Sequence, residues 1–111
     1  MKQKYRNQKH NGYDSRKEAH RAYGLKMKEK EGTIKNLQEQ VAFEILKPFV
    51  DNQGKKIQGI KYIADFVYFD NELNQVVIED VKSAATKKIA AYIIKKKFVK
   101  KLYPEYLFRE T

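Results

Sequence analysis

In the stretch VVIEDVKSAATKK, residues 76–88, a β-branched run gives way to charge. Val76, Val77 and Ile78 read as a strand that Val81 continues, yet Glu79, Asp80 and Lys82 interrupt its C-terminal end. Another acid, Asp65, sits inside IKYIADFVYF, residues 60–69, a segment otherwise of high β-propensity. Alternation puts Ile63, Asp65, Val67 and Phe69 on one face of that strand, and Val76, Ile78, Asp80 and Lys82 on one face of the next. If the two pair as a hairpin around DNELN, residues 70–74, positions whose numbers sum to about 145 lie opposite one another, which makes Asp65 and Asp80 cross-strand neighbours. Their Cβ atoms would stand roughly 5 Å apart.

Two like charges that close repel, and burying them costs more. A divalent cation between them removes both objections. Carboxylate oxygens suit Mg²⁺ or Mn²⁺, and Mg²⁺ characteristically takes one or two protein carboxylates and leaves positions for water and phosphate. Lys82, on the same face as Asp80, is placed to hold an attacking water or a phosphate oxygen. The plainer alternative is an Asp80–Lys82 or Asp65–Lys82 ion pair at a sheet edge, with Asp65 capping a bulge. Glu79 points to the opposite face, so alternation favours Asp80 as the ligand of this acidic pair.

The elements that must position these residues follow from the rest of the chain. DSRKEAHRAYGLKMKEKEG predicts a helix over about 15–31: Ser15 can cap it, Glu18 stands three residues on as in a capping box, and Gly32 follows the last turn. EQVAFEIL predicts a first strand with Val41, Phe43 and Ile45 on one face, and DNQG at 51–54 a turn. The strands at 60–69 and 75–82 come next. A helix is predicted over about 86–102, with Thr86 near its start and Ala91, Ile94, Phe98 and Leu102 as its buried stripe. Pro104 ends it, and EYLFRE forms a short last strand. The order is α-β-β-β-α-β: an antiparallel meander of three strands, then a helical crossover to a parallel fourth. That is an α/β domain with a mixed four-stranded sheet flanked by helices.

At 111 residues there is room for one such domain. We read residues 1–13 as a basic arm and 14–111 as the domain. The chain has no cysteine, which excludes disulfides and cysteine-based zinc sites and fits a reducing cytoplasm. No apolar run approaches membrane-spanning length, so a soluble, cytoplasmic protein is expected. The net charge of +10 is unevenly spread: residues 1–30 hold ten Lys/Arg against three Asp/Glu, and residues 83–103 hold seven Lys and no acid. Residues 31–82, by contrast, hold six basic and nine acidic residues. Basic flanks around an acidic centre favour a polyanionic partner, with the acids where metal ligands would be needed. His10 and His20 lack partners at useful spacing, and Tyr5 and Tyr13 are candidates for base stacking. There is no Gly-rich phosphate loop, no cysteine nucleophile and no Gly-x-Ser-x-Gly elbow.

Asp65, then fourteen residues, then Asp80-Val81-Lys82, on the second and third strands of an α-β-β-β-α-β core, resembles the PD-(D/E)XK (restriction-endonuclease-like) nuclease superfamily. YDSRKEAHRAY, NLQEQVAFEIL, YIADFVYF and VVIEDVK are similar, more closely, to a small phage- and prophage-borne family within it; the likeness spans residues 12–109. Two departures stand out: Ala64 replaces the usual proline before the aspartate, and Ser83-Ala84 stands where a glycine often follows the lysine.

The resemblance implies a metal-dependent DNA endonuclease that works as a homodimer on branched or junction DNA, encoded by a phage or prophage. Asp65 and Asp80 would bind Mg²⁺ or Mn²⁺, with the Val81 carbonyl as a further candidate ligand, and Lys82 would position or help deprotonate the nucleophilic water. Glu18 matches the acidic residue that often completes such sites, but it fits the capping box equally well. Lys88, Tyr92 and Lys95, spaced i, i+4, i+7, could reach the scissile phosphate; the resemblance implies such a residue on this helix, which Lys95 with Tyr92 match best, and Arg16 and Lys9 are further DNA-contact candidates. The alternatives are a non-catalytic nucleic-acid-binding module and a phage adaptor that binds a host protein.

Overall fold

The computed structural model describes residues 12, 13 and 15–111 of the chain. The basic arm, including the candidate DNA contact Lys9, therefore lies almost wholly outside the described residues. The first helix, α1, runs Arg16–Glu31. It starts where Ser15, in extended backbone, accepts a hydrogen bond from the Glu18 N–H, and it ends at Gly32 in the left-handed conformation with φ of 84°. Both ends behave as their residue types dictate, since serine satisfies an otherwise orphaned amide and glycine adopts positive φ without a Cβ penalty.

Four strands form the main sheet: β1 (Ile34–Leu46), β4 (Ile60–Asp70), β5 (Gln75–Asp80) and β6 (Leu107–Glu110), in the order β1-β4-β5-β6. β1 and β5 each pair antiparallel with β4, whereas β6 pairs parallel with β5. The meander and the parallel fourth strand are thus as the sequence predicts. β1 is longer than predicted and starts directly after the α1 cap. A small second sheet, β2 (Phe49–Val50) with β3 (Lys56–Ile57), flanks the predicted DNQG turn. The Asp51 carboxylate braces that turn by accepting from the Gln53 and Lys55 amides, each at 2.9 Å. Between β4 and β5, Asp70 does the same for Glu72 and Leu73.

Adjacent residues on a strand point to opposite faces, and the packing shows a helix on each. Val77 packs with Ala22 and Leu25 of α1, while its neighbour Ile78 packs with Tyr92 and Val99 of α3 (Ala90–Leu102). The sheet is therefore sandwiched between α1 and α3. A short helix, α2 (Ala84–Lys87), precedes α3.

Two predicted details are corrected. The helix does not run unbroken from 86: α2 ends with Lys88 as its C-cap, and α3 restarts at Ala90. Lys88 consequently does not share a helical face with Tyr92 and Lys95. The buried stripe is also different. Ala91, Ile94, Phe98 and Leu102 are all exposed, whereas Tyr92 and Val99 are buried. α3 carries apolar residues over more than half its circumference, and tyrosine, being bulkier, takes the place against the sheet. The outward apolar row lies along a cleft of about 300 Å³ closed on its other side by Ile45, Leu46 and Ile60.

A third correction concerns strand alternation itself. On β4, Tyr62 and Ala64 pack with the α3 cluster, but Phe66 and Tyr68, of the same parity, pack with the α1 cluster. On β1, Glu39 pairs with Lys26 of α1 at 3.7 Å, while Val41 packs on the α3 side. Both strands therefore exchange faces at one place, between Ala64 and Phe66 and between Glu39 and Val41. The residues at the exchange, Asp65 and Gln40, lie opposite one another, bracketed by the pairs Glu39↔Phe66 and Val41↔Ala64. Gln40 has φ of 54°, which supplies the local twist. Asp65 is thus not simply a member of the Ile63–Val67–Phe69 row.

These assignments predict different outcomes for adjacent residues on α3. Val99→Ala should cost on the order of 1–3 kcal/mol in urea unfolding, because it opens a void in a filled core. Phe98→Ser should cost less, about 1 kcal/mol or under, because Phe98 is 48% exposed and only part of its ring is covered in the cleft. A reversal of that order would place the helix the other way round.

Candidate functional site

Asp65 and Asp80 meet where β4 and β5 part. Their ladder runs Asp70↔Gln75 to Phe66↔Glu79, each pair summing to 145, so the predicted register holds. At the next position backbone pairing is replaced by a reciprocal clasp. The Asp65 N–H donates to the Asp80 carboxylate at 3.0 Å, and the Val81 N–H donates to the Asp65 carboxylate at 2.9 Å. Each acid therefore caps the backbone beside the other, which fixes both carboxylates against rotation. Asp65 is 8% exposed and Asp80 fully buried.

Lys82 closes the arrangement. Its ammonium stands 3.4 Å from Asp80 Oδ1 and 3.7 Å from Asp65 Oδ2, so both expected ion pairs form at once. Its Nζ also lies 5.5 Å from the centre of the Tyr92 ring. The backbone of Lys82 is tied down by donating its N–H to the Thr111 carbonyl at 3.1 Å. Burial pushes the Asp80 carboxyl above its usual range, and the charge of Lys82 counters that only in part. The second carboxylate oxygen of Asp80 is buried and has no hydrogen-bond partner among the described residues. An orphaned buried carboxylate oxygen is costly and is the kind of atom that a hard cation satisfies.

Glu18 joins from α1. Its backbone amide is capped by Ser15 at 3.0 Å, while its buried carboxylate accepts from Gln40 Nε2 at 3.2 Å. The Ser15 half of the capping box therefore forms, while the Glu18 carboxylate accepts from Gln40. The same Gln40 nitrogen donates to Asp65 Oδ1 at 3.3 Å, so one amide bridges the two carboxylates. The sequence reading missed Gln40, because its polar side chain on a strand carries no motif and its left-handed backbone is invisible in composition.

Glu18, Asp65, Val81 and Lys82 line a cleft of about 420 Å³ together with Ser15, Lys17, Ser83 and Thr86. Among the described residues no group of three or more Asp, Glu, His or Cys side chains is set to enclose an ion. The site offers a carboxylate pair, with Glu18 linked to it through Gln40. Such a set fits Mg²⁺ or Mn²⁺, which complete their shells with water or phosphate. Ser83 has φ of −76°, ordinary extended backbone, and its hydroxyl caps α2 by accepting from the Thr86 amide. The strand exit thus needs no glycine.

The candidate DNA contacts fare differently. Arg16 and Lys88 are exposed, and Lys95 is half-buried. Lys95 lines a second depression, of about 360 Å³, that it shares with Lys61, Lys82 and Tyr92. Tyr92 does not offer a free hydroxyl: the residue is 8% exposed and its O–H donates to Glu110. Burial and that bond push its phenol well above the usual range. The hydrogen bond from Tyr92, joined by Lys96 at 3.0 Å, holds the Glu110 carboxyl below its ordinary value. Lys96 is half-buried with its Nζ 5.4 Å from the Tyr92 ring centre. Tyr92 is therefore a wall between Lys82 and Lys96.

Glu79 confirms the argument from alternation. It is fully buried on the α1 side, bound by Arg21 through Nε and through Nη2 at 3.0 Å, by the Tyr68 hydroxyl, and by Thr111 Oγ1 at 3.0 Å. Burial alone would raise its carboxyl, but these donors outweigh it and hold the group below its ordinary value of 4.5. Burial and the same carboxylate push the Tyr68 phenol up to about 12. A depressed carboxyl stabilises the fold fully above its unfolded value and loses that contribution as pH falls through the folded one. Glu79→Gln should therefore flatten the acid limb of stability below about pH 4.5 and cost about 3 kcal/mol at neutral pH, where it strands Arg21. Urea melts from pH 3 to 7 measure both; an unchanged acid limb would mean that Glu79 is not ionised in the fold.

No helix among the described residues is long and apolar enough to cross a membrane. No curated protein and no solved structure matches the chain. One family model does match, over residues 2–109, nearly the whole sequence. The chain belongs to the family described as a protein of unknown function, DUF1064.

Proposed function

We propose that the protein is a metal-dependent DNA endonuclease with a restriction-endonuclease-like core. The observation that carries this reading is the Asp65–Asp80 clasp with Lys82 across it: Asp65 and Lys82 line the open cleft, and Asp80, fully buried beside them, keeps one oxygen without a hydrogen-bond partner among the described residues. Asp65 and Asp80 would hold Mg²⁺ or Mn²⁺, with Glu18 nearby. The bound ion would supply polarisation of the phosphate, a more acidic water and charge for the leaving oxygen.

The chain's own residues do the rest. Asp65 and Asp80 are pre-oriented by backbone amides, so little reorganisation accompanies binding. Lys82, released from one carboxylate, can orient a water or a phosphate oxygen from the cleft floor. Lys17 in the cleft and Lys95 and Lys61 in the neighbouring depression extend positive charge along a path for a nucleic-acid backbone. Contacts of this kind read phosphate and not bases, so a structure-selective activity on branched DNA suits them better than sequence recognition. Junction-resolving work in phage recombination or replication, carried out by a homodimer, rests on the resemblance described above.

A non-catalytic nucleic-acid-binding module is the alternative. The Asp80 oxygen without a hydrogen-bond partner among the described residues argues against it, because acids that serve only to close the sheet would be fully bonded. A phage adaptor has no observation in its favour.

The test uses supercoiled plasmid and four-way-junction DNA with Mg²⁺ or Mn²⁺. Wild type should cut one or both, EDTA should stop cutting, and Asp80→Ala should lower the rate by at least about a thousandfold, the scale expected for loss of an essential group. Mn²⁺ at ten times its dissociation constant should stabilise the wild-type fold by ~1.4 kcal/mol, a rise of roughly 5–8 °C in melting temperature that Asp80→Ala abolishes. Tight, steeply salt-dependent DNA binding without cleavage under any divalent metal would hand the case to the binding module. Equal cutting by Asp80→Ala would move the site elsewhere.

A further inference from the structure

Three non-glycine residues among those described have positive φ: Asn36, Asn74 and Gln40. Asparagine tolerates this region because its short side chain bonds locally, and both asparagines fit that rule. Glutamine has no such advantage. Gln40 is also exposed overall, so packing does not demand its bulk. A glycine or asparagine there would give the same face switch with less strain.

What glutamine adds is reach. From β1 its amide nitrogen spans to Glu18 Oε2 at 3.2 Å and to Asp65 Oδ1 at 3.3 Å, joining α1 to β4 through two carboxylates that line the cleft. Glu18 and Asp65 are like charges brought to one opening, and an amide N–H₂ is the neutral group that can donate to both. A cation drawn to the same two oxygens would meet these N–H groups head on. Turning the amide over presents its carbonyl oxygen instead, at the same distance and with the sign that a cation requires.

We propose that Gln40 is a positioning residue of the cation site: it holds Glu18 against Asp65 when no ion is present, and its amide turns to offer oxygen when one binds. This rests on reading Asp65 and Asp80 as a cation site. It adds an unanticipated residue from β1, and it assigns Glu18 to the site through Gln40.

The test measures Mn²⁺ binding directly, by electron paramagnetic resonance of free Mn²⁺, together with thermal melts of the metal-free protein. Wild type, Gln40→Gly, Gln40→Met, Gln40→Glu and Asp80→Ala are compared. Gln40→Gly relieves the backbone and removes the amide, so it should melt at or above the wild-type temperature while binding Mn²⁺ about tenfold more weakly. Gln40→Met keeps length without polarity and should weaken binding similarly. Gln40→Glu sets a third carboxylate against Glu18 and Asp65, so it should melt lower without metal and recover wild-type affinity or better with it.

The inference is overturned if folded Gln40→Gly and Gln40→Met bind Mn²⁺ as tightly as wild type while Asp80→Ala does not. In that case the nuclease reading survives alone. If folded wild type binds no Mn²⁺ at all, the reading of the site falls, and the role of Gln40 falls with it.

Discussion

Two aspartates clasp the point at which two strands separate, and the rest of the site is arranged around that fact. When β4 and β5 diverge, their amides lose ladder partners, and an unpaired buried amide is expensive. Asp65 and Asp80 supply the missing acceptors from side chains, each to the other strand. The fold thereby obtains closure of a sheet opening, and the site obtains two carboxylates that cannot rotate away. Lys82 offsets the charge they bring, at distances of 3.4 and 3.7 Å.

The neighbouring acid shows the same chemistry used for a different end. Glu79 and Asp80 are consecutive, both wholly buried, and on opposite faces of one strand. Glu79 is saturated by donors from α1, β4 and Thr111, and its proton affinity falls accordingly. Asp80 keeps one oxygen without a hydrogen-bond partner among the described residues, and burial raises its proton affinity. A saturated acid is a structural bolt, whereas an unsaturated one stores a demand for a ligand. The contrast between adjacent residues carries more weight than the burial of either.

Much of this was legible in the sequence. The pairing sum that opposed Asp65 to Asp80, the preference for Asp80 over Glu79 and the parallel last strand all followed from period two and connection rules. What was lost had physical causes. The stripe on α3 was misassigned because helical spacing selects rows, and Ile94–Phe98 and Tyr92–Val99 are both acceptable rows; only the sheet decides between them. The face of Asp65 was misread because alternation assumes an unbroken pleat, and the backbone at Gln40 breaks it. Gln40 itself announced nothing, since neither its residue type nor its neighbours signal positive φ. The small β2–β3 sheet was half seen, as a turn whose flanks were too short to register as strands.

The paired exchange of faces at Gln40 and Asp65 has a consequence for how such chains can change over time. On each strand the apolar pattern before the exchange is out of phase with the pattern after it, and the two strands compensate one another. A deletion of one residue in either strand alone would turn half of its side chains inside out. A matched loss in both would restore the pleat but remove the crossing point at which Glu18, Gln40, Asp65 and Asp80 converge. Length in these two strands is therefore constrained as a pair, and loops are where this fold is free to lengthen or shorten.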